Sequence, residues 1–559
     1  MKRNLEKLSS AVHDLVIVGG GIFGACAAWD AALRGLSVAL IERVDFGHAS
    51  SANSQKIIHG GLRYLQHGDV KRMRESIRER KILMRIAPHL VHPLPFLMPT
   101  YGWGIRSRTA MRTALAAYDL VACDRNSGVR DPQKQIPRGR IVSREECLRL
   151  APGIPEDDLT GGALWHDGQV YNSERLTLSF VLSAAATGAV VANYVEVTGF
   201  LRNGSRVCGV TARDVLTGES LEILGKAVLN TSGPWVERVL KPLNGHRPVW
   251  SPGFVKAMNL VTCPLAPKVA LGVQNPARSG KTQGLLFITP WQDCSIIGTT
   301  YTAYAGDPAR CEVTEEEIRA FIDEVNLSYP AAGLRRSDVR LVHVGLLPAA
   351  ANEPAVPETA YRLLDHERLH GIEGLVSVLG VKYTTARDVA EKAIGRVSAK
   401  LGRATSVSLS RTTPVVGAHF ERFEAFLDEA LRERLWELEA PVIRRLVCMY
   451  GSTYADVLKL IRENLAWAEP IVSVSHTIKA EVIYAVRQEL ALTLSDVIFR
   501  RTGLGAAGHP GSAALGACAD LMAQELGWNV LQRERELEQT EAAFAQFGAG
   551  APDTVEVAR

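Results

Sequence analysis

The sharpest pattern of apolar and polar positions lies near the N-terminus, where the apolar run Leu15–Val18 opens directly into Gly19-Gly-Gly21-Ile-Phe-Gly24. Small and apolar residues then follow at helical spacing from Ala25 to Arg34, and Gly35 stops them. A second apolar run, Leu36–Ile41, is closed by the acid Glu42. The pattern predicts a strand, a tight turn, a helix and a second strand. Further along it predicts a charged helix around Lys71–Arg85 and short strands and helices through 163–260, with turns at Arg202-Asn-Gly204 and Thr217-Gly218. Charged helices begin near 312 and 383. A Ser/Thr-rich passage near 405–417 ends in Pro414 and Gly417, and helical patterning dominates from 420 to 545, which marks a separate C-terminal domain.

The glycines give the first unit a chemical meaning. Gly19 permits the tight turn, Gly21 lets backbone approach a pyrophosphate, and Gly24 lets helix and strand pack closely, so that the helix N-terminus faces the phosphates. Glu42 stands 18 positions after Gly24, near the spacing at which a carboxylate meets an adenosine ribose. The unit reads as a dinucleotide site, and by itself does not separate FAD from NAD.

Composition narrows the class further. The 559 residues are 47% hydrophobic and 22% charged, with 64 Lys and Arg against 60 Asp and Glu, a balance that argues against disorder and against a protein that coats nucleic acid. The nine cysteines are scattered, with no CxxC pair, so no metal site is expected and a reducing compartment is. No apolar stretch approaches the length of a membrane span, and the first residues lack the apolar centre of a signal peptide. The expectation is a cytoplasmic protein. Peripheral contact with the inner face of the cell membrane is left open by Pro93–Pro99, Tyr101 and Trp103, an apolar-aromatic stretch beside Arg106, Arg108 and Arg112; a core segment beside a solvated basic helix is the alternative.

At His59-Gly-Gly-Leu-Arg-Tyr64 a family becomes visible. With the Gly19–Gly24 turn, this stretch resembles the FAD-dependent glycerol-3-phosphate dehydrogenases, within the amino-acid-oxidase-like flavoproteins. The resemblance runs on through Asn230-Thr-Ser-Gly-Pro-Trp235, Phe287-Ile-Thr-Pro-Trp291, Ile297-Gly-Thr-Thr300 and Gly380-Val-Lys-Tyr-Thr-Thr-Ala-Arg387. In the C-terminal part it includes Tyr450-Gly-Ser452, Ala480-Glu-Val-Ile-Tyr484, Glu489 and Asp496-Val-Ile-Phe-Arg-Arg-Thr502.

The resemblance implies an α/β fold: a Rossmann-like FAD-binding domain interleaved with an antiparallel-sheet substrate domain, plus an all-α C-terminal domain. Residues 1–410 would form the oxidoreductase body, with FAD-binding parts about 12–100, 160–245 and 340–400 and substrate parts about 100–160 and 245–340. Residues 411–545 would form the helical domain and 546–559 a tail. FAD is the implied cofactor, held by Gly19, Gly21, Gly24, Glu42, Ser50, Ser51, Ser54, Lys56, Gly60, Gly61, Gly233, Gly380, Lys382, Thr384 and Thr385. The implied catalytic residues are His59, Arg63, Lys382 and Tyr301, and the substrate-binding ones Arg63, Tyr64, Asn259 and Arg362. Oxidising a secondary alcohol needs a hydride acceptor, supplied by the flavin, and a group that takes the hydroxyl proton. Arg63, Lys382 and Arg387 are candidate cations for an anionic substrate or reduced flavin.

The chain departs from the family where substrate is bound. Lys256-Ala-Met-Asn259 stands where relatives have Lys-Gly-x-His, Tyr301 where they commonly have Asp, and Leu347 where Gly-Val-Arg-Pro-Leu supplies a phosphate-binding Arg. The expected reaction is dehydrogenation of glycerol 3-phosphate or a related polyol phosphate, with electrons passed to quinone, oxygen or another acceptor. The alternatives are a flavin-dependent oxidase of another hydroxy or amino substrate, and a flavin-binding protein that has lost catalysis. The implied partners are the small-molecule substrate and the acceptor, without nucleic acid; a homodimer is left open.

Overall fold

The computed structural model describes residues 1–104, 106–243, 253–265, 268–275, 284–380, 382–403 and 407–548. Val381, parts of the expected substrate stretch 245–340, and the expected tail from 549 onward lie outside the described residues. Six strands form the first sheet, in the spatial order Arg362–Asp365, Leu375–Leu379, Val228–Asn230, Leu15–Val18, Val38–Ile41 and Val190–Ala192. All neighbours run parallel except the first pair. Leu15–Val18 and Val38–Ile41 are buried at every residue, which is why they read as continuous apolar runs instead of alternating ones. The helix Ile22–Leu33 is also buried nearly all round, packed between this sheet and the helices Ser173–Ala186 and Ala386–Lys400, with Trp29 and Phe180 rings 5.4 Å apart.

The second large sheet has ten strands among the described residues. It is antiparallel except where Ala270–Gln274 runs parallel to Val91–Tyr101. It takes in Val91–Tyr101, Leu159–Val170 and Val339–Ala350, stretches that the resemblance assigns mainly to the FAD-binding parts. A run of alternating apolar residues does not declare which sheet it joins, so the sequence could not place them. Pro93, Pro95 and Pro99 fall in the middle of a buried strand. On one side that strand is paired only at Phe96 and Leu97, so the missing proline N–H groups leave few ladder bonds unmade. The apolar stretch 93–99 is thus a core strand, whereas Trp103 beyond it is almost wholly exposed. No helix among the described residues is long and apolar enough to cross a membrane.

From Phe423 on, the described regular elements are helical, closing on Val530–Gln546. This part is locked to the nucleotide sheet by buried ion pairs. Arg501 donates to both oxygens of Asp45, at 2.7 and 2.8 Å, while Arg500 Nε reaches the same carboxylate at 2.5 Å. Arg175 is paired with Glu489 at 2.6 Å, and its guanidinium lies 4.2 Å from the Tyr450 ring centre. The C-terminal motifs of the sequence therefore act as fasteners between the two parts of the chain.

Candidate active site

The turn after Leu15–Val18 opens one wall of a cavity of roughly 460 Å3. Gly19, Gly21, Glu42, Ser50, Ser51, Gly233, Gly380 and Lys382 all line it. The helix Ile22–Leu33 begins here at Gly21, with Ile22 N donating to Ser51 Oγ at 3.0 Å, so its positive end faces the cavity as an anion site does. Gly24 is inside the packing: a Cβ there would lie 1.9 Å from the Gly19 carbonyl oxygen and 2.7 Å from Thr231 Oγ1. Glu42 is held by two backbone donors, Gly20 N at 2.7 Å and Val44 N at 3.0 Å. Each of its oxygens keeps a free lone pair for a further donor. Trp235 Nε1, also on the wall, is buried with no partner among the described residues, and Arg43 stacks 5.1 Å from the centre of its ring.

Beyond the Lys382 end lies a second group of side chains. Lys382 Nζ sits 4.5 Å from the Tyr64 ring centre, and the His59 ring is 5.8 Å from the same ring. Burial, together with the charges of Lys382, Arg80 and Arg63, pushes His59 down to about 3. Burial and then the nearby Arg72 charge push Lys382 down to about 8. Tyr301 hydrogen-bonds Thr299, and burial raises its phenol despite the Arg63 cation. Asn259 Oδ1 accepts from Thr299 Oγ1 at 2.7 Å. The turn that carries His59 is tied from behind. Gly60 N donates to Asp167 Oδ1 at 2.5 Å, Arg80 pairs with that carboxylate, and Tyr118 OH donates to Gly60 O at 3.3 Å.

Against protein-family models, residues 14–387 match "FAD dependent oxidoreductase" and residues 408–533 match "C-terminal domain of alpha-glycerophosphate oxidase". A glycerol-3-phosphate dehydrogenase of Synechocystis is 34% identical over 96% of this chain and 97% of its own length. One of Mycobacterium leprae is 34% identical over 95% and 88%. The chain belongs to the FAD-dependent glycerol-3-phosphate dehydrogenase family. Among solved structures, the glycerol-3-phosphate dehydrogenase of Bacillus halodurans, complexed with FAD, superposes with a TM-score of 0.76 at 25% identity, over 97% of each chain.

As a member of this family the protein is an FAD-dependent oxidoreductase, and its cavity fits that cofactor. The orphaned Trp235 indole N–H and the two-donor cradle of Glu42 each offer a polar group that an extended dinucleotide would satisfy, beside the helix end at Gly21.

Several residues expected along the flavin or the substrate sit elsewhere. Lys56 is not on the cavity wall: its ammonium is fully buried, at 2.8 Å from Glu174 and 2.7 Å from the Ser173 hydroxyl and the Ala52 carbonyl. A cation so enclosed is balanced by its partner and has no donor left for cofactor. Arg362 lies on the edge strand, opposite Leu379, and pairs with Glu358 at 3.1 Å on the surface. Arg387 is buried and engaged by Glu79, with both contacts at 2.7 Å, and by Glu391. Tyr301, with its phenol raised, stays protonated and is a donor, not a base. Ser54 receives Lys56 N, Thr384 Oγ1 accepts from His59 N at 3.3 Å, and Thr385 precedes the helix Ala386–Lys400; these three, with Gly60 and Gly61, shape the turns without lining the 460 Å3 cavity.

The departures from the family pattern lie together. Leu347 pairs with Val255, Gly345 with Ala257, and Ala257 with Tyr301, so Leu347, Gly345 and Tyr301 share one face of the sheet. Lys256 points to the opposite face, where it pairs with Glu317. The Asp167–Arg80–Tyr118 support of the His59 turn was missed in the sequence, because the three residues come from distant elements and no spacing links them.

Proposed function

We propose that this enzyme oxidises glycerol 3-phosphate at its secondary alcohol and passes the electrons to an acceptor such as quinone or oxygen. In this reading residues 1–410 bind cofactor and substrate and 411–545 brace them. The observation that carries it is the cluster of Lys382, Arg63, His59, Tyr64 and Tyr301 at one end of the nucleotide cavity, where burial and the neighbouring cations together depress His59 to about 3. Bound FAD would supply the hydride acceptor. Lys382 and Arg63 hold the phosphate, taking over the work of the arginine that Leu347 replaces. Tyr301, whose one proton is engaged with Thr299, offers the substrate its phenol oxygen as an acceptor. His59, neutral at pH 7, accepts from the reacting hydroxyl. Its basicity is low because it is buried and because Lys382, Arg80 and Arg63 face it; a phosphate dianion beside Lys382 and Arg63 offsets the part that comes from charge.

The test is anaerobic bleaching of the flavin by glycerol 3-phosphate, glycerol, hydroxy acids and amines. Bleaching by glycerol 3-phosphate at far lower concentration than by glycerol supports the reading; bleaching only by an amine or an uncharged alcohol overturns it.

Two further outcomes follow from the same geometry. Lys382 loses its proton as pH rises through about 8, so kcat/KM for the phosphate substrate falls above that pH. Lys382→Arg, charged throughout, flattens the alkaline limb, which a pH–rate profile reads directly. Leu347→Arg restores a guanidinium to the sheet face and lowers KM for glycerol 3-phosphate by about 10- to 100-fold, the worth of one charge-assisted bond of ~1.5–3 kcal/mol. Steady-state kinetics of the variant checks this, with KM for unphosphorylated glycerol unchanged.

A further inference from the structure

The strand Phe254–Thr262 slips register against Cys294–Tyr304 between Met258 and Asn259. Thr299 is left at the irregularity, its hydroxyl bridging Tyr301 and Asn259. The side chain of Gln55 reaches this point from the segment that runs between Ser51 and His59. It is brought close by Gly298, where an added Cβ would lie 2.0 Å from Asn259 Oδ1 and 3.1 Å from Gln55 Nε2. Gln55 Nε2 is buried and has no hydrogen-bond partner among the described residues, while Asn259 Oδ1 accepts from Thr299. A buried amide donor left unmet is costly, and such donors normally have an acceptor in the working complex.

Which acceptor it meets follows from where it lies. Ser50 and Ser51, a few residues earlier, line the nucleotide cavity, but Gln55 does not. It sits with Asn259, Thr299 and Tyr301, so its direction is toward substrate. All four groups are neutral amides or hydroxyls, suited to an uncharged oxygen and not to the phosphate, which has Lys382 and Arg63.

We propose that Gln55 is a specificity-determining residue whose amide donates to the hydroxyl on the carbon next to the one being oxidised, so that the site selects a vicinal polyol phosphate over its deoxy counterpart. This rests on the polyol-phosphate reading above. Asn259, Thr299 and Tyr301 complete the neutral wall around that hydroxyl. A site built to hydrogen-bond a hydroxyl rejects the analogue lacking it, because its own buried donor is then stranded.

The test compares glycerol 3-phosphate with propane-1,2-diol 1-phosphate, which lacks only the terminal hydroxyl. The native enzyme is expected to favour the former by about 100-fold or more in kcat/KM, and Gln55→Met, similar in size and without a donor, to cut that preference about tenfold or more with flavin content unchanged. Titration of the flavin absorbance with dihydroxyacetone phosphate and with hydroxyacetone phosphate reads the same discrimination as binding, and on the native protein it needs no variant. Equal handling of the two compounds by the native enzyme, or an unchanged preference in Gln55→Met and Gln55→Glu, overturns the role of Gln55 while leaving the dehydrogenase reading intact. Failure of any polyol phosphate to bleach the flavin overturns that reading, and the inference with it.

Discussion

Gly24→Val is expected to yield a protein that purifies without flavin. The added Cβ has nowhere to go: even the first carbon lies 1.9 Å from the Gly19 carbonyl and 2.7 Å from Thr231 Oγ1, and both contacts belong to groups that are themselves fixed. Gly19 N bonds Ile41 O at 2.9 Å, and the Thr231 hydroxyl bridges Val18 O and Gly19 O at 2.9 and 2.8 Å. Backbone cannot retreat as a flexible side chain would, so the helix Ile22–Leu33 must move off the strand. The turn that should cradle a pyrophosphate then opens. Overpacking of this kind costs about 1–3 kcal/mol in an ordinary core, and here it also displaces the helix end that faces the phosphates. Visible absorbance after purification, and FAD retention on gel filtration, check the outcome; a yellow variant with native flavin content contradicts it. Gly24→Ala meets the same first contact and is expected to lose most of its flavin as well.

Asp45→Ala is expected to be the most destabilising single change at the junction with the C-terminal helices, by about 3–5 kcal/mol. Burial alone would raise the Asp45 carboxyl, but the guanidinium groups of Arg501 and Arg500 outweigh it and hold the group well below the usual carboxylate range. Deleting the carboxylate leaves two buried cations with a shared partner gone, which is far worse than never having had the pair. Asp496 still receives Arg500 at 2.6 Å, so the larger penalty falls on Arg501. Because the folded value is depressed, the stability that Asp45 contributes is complete above the unfolded value of about 3.9 and is lost as pH falls below it toward the folded value. Denaturation of the native and Asp45→Ala proteins at pH 7 and at pH 3 measures both effects, with the difference between the two proteins smaller at the lower pH. The loss should also loosen cofactor, since the same loop is joined to the dinucleotide turn by Gly47 N to Gly20 O at 3.1 Å and by Glu42 to Gly20 N.

The nucleotide site was readable in one dimension because its parts are local. A strand, a turn, a helix and a second strand occupy residues 15–41, and Glu42 follows at once; spacing along the chain is then nearly spacing in the fold. The substrate side was readable only through family motifs. Its residues come from the 59–64 turn, from strands around 259, 301 and 347, and from the turn at 382, which meet only when two sheets have formed. Motif position alone also set Lys56 and Arg387 beside a ligand, whereas each is paired with a buried carboxylate. A charged residue near a motif has the same letter whether it faces a ligand or a buried carboxylate, and the carboxylates Glu174 and Glu79 come from other elements.

By itself the sequence determined the dinucleotide unit and the family, since each is a matter of residue identity at short or aligned spacing. Only the tertiary structure decided that Lys56 and Arg387 are spent on buried carboxylates, while Lys382 stands over the Tyr64 ring. It also decided that Tyr301 remains a protonated donor, and that the amide of Gln55 is left without a partner beside Asn259. Burial and pairing set the charge and the hydrogen-bond needs of a side chain, and both are properties of the packed chain.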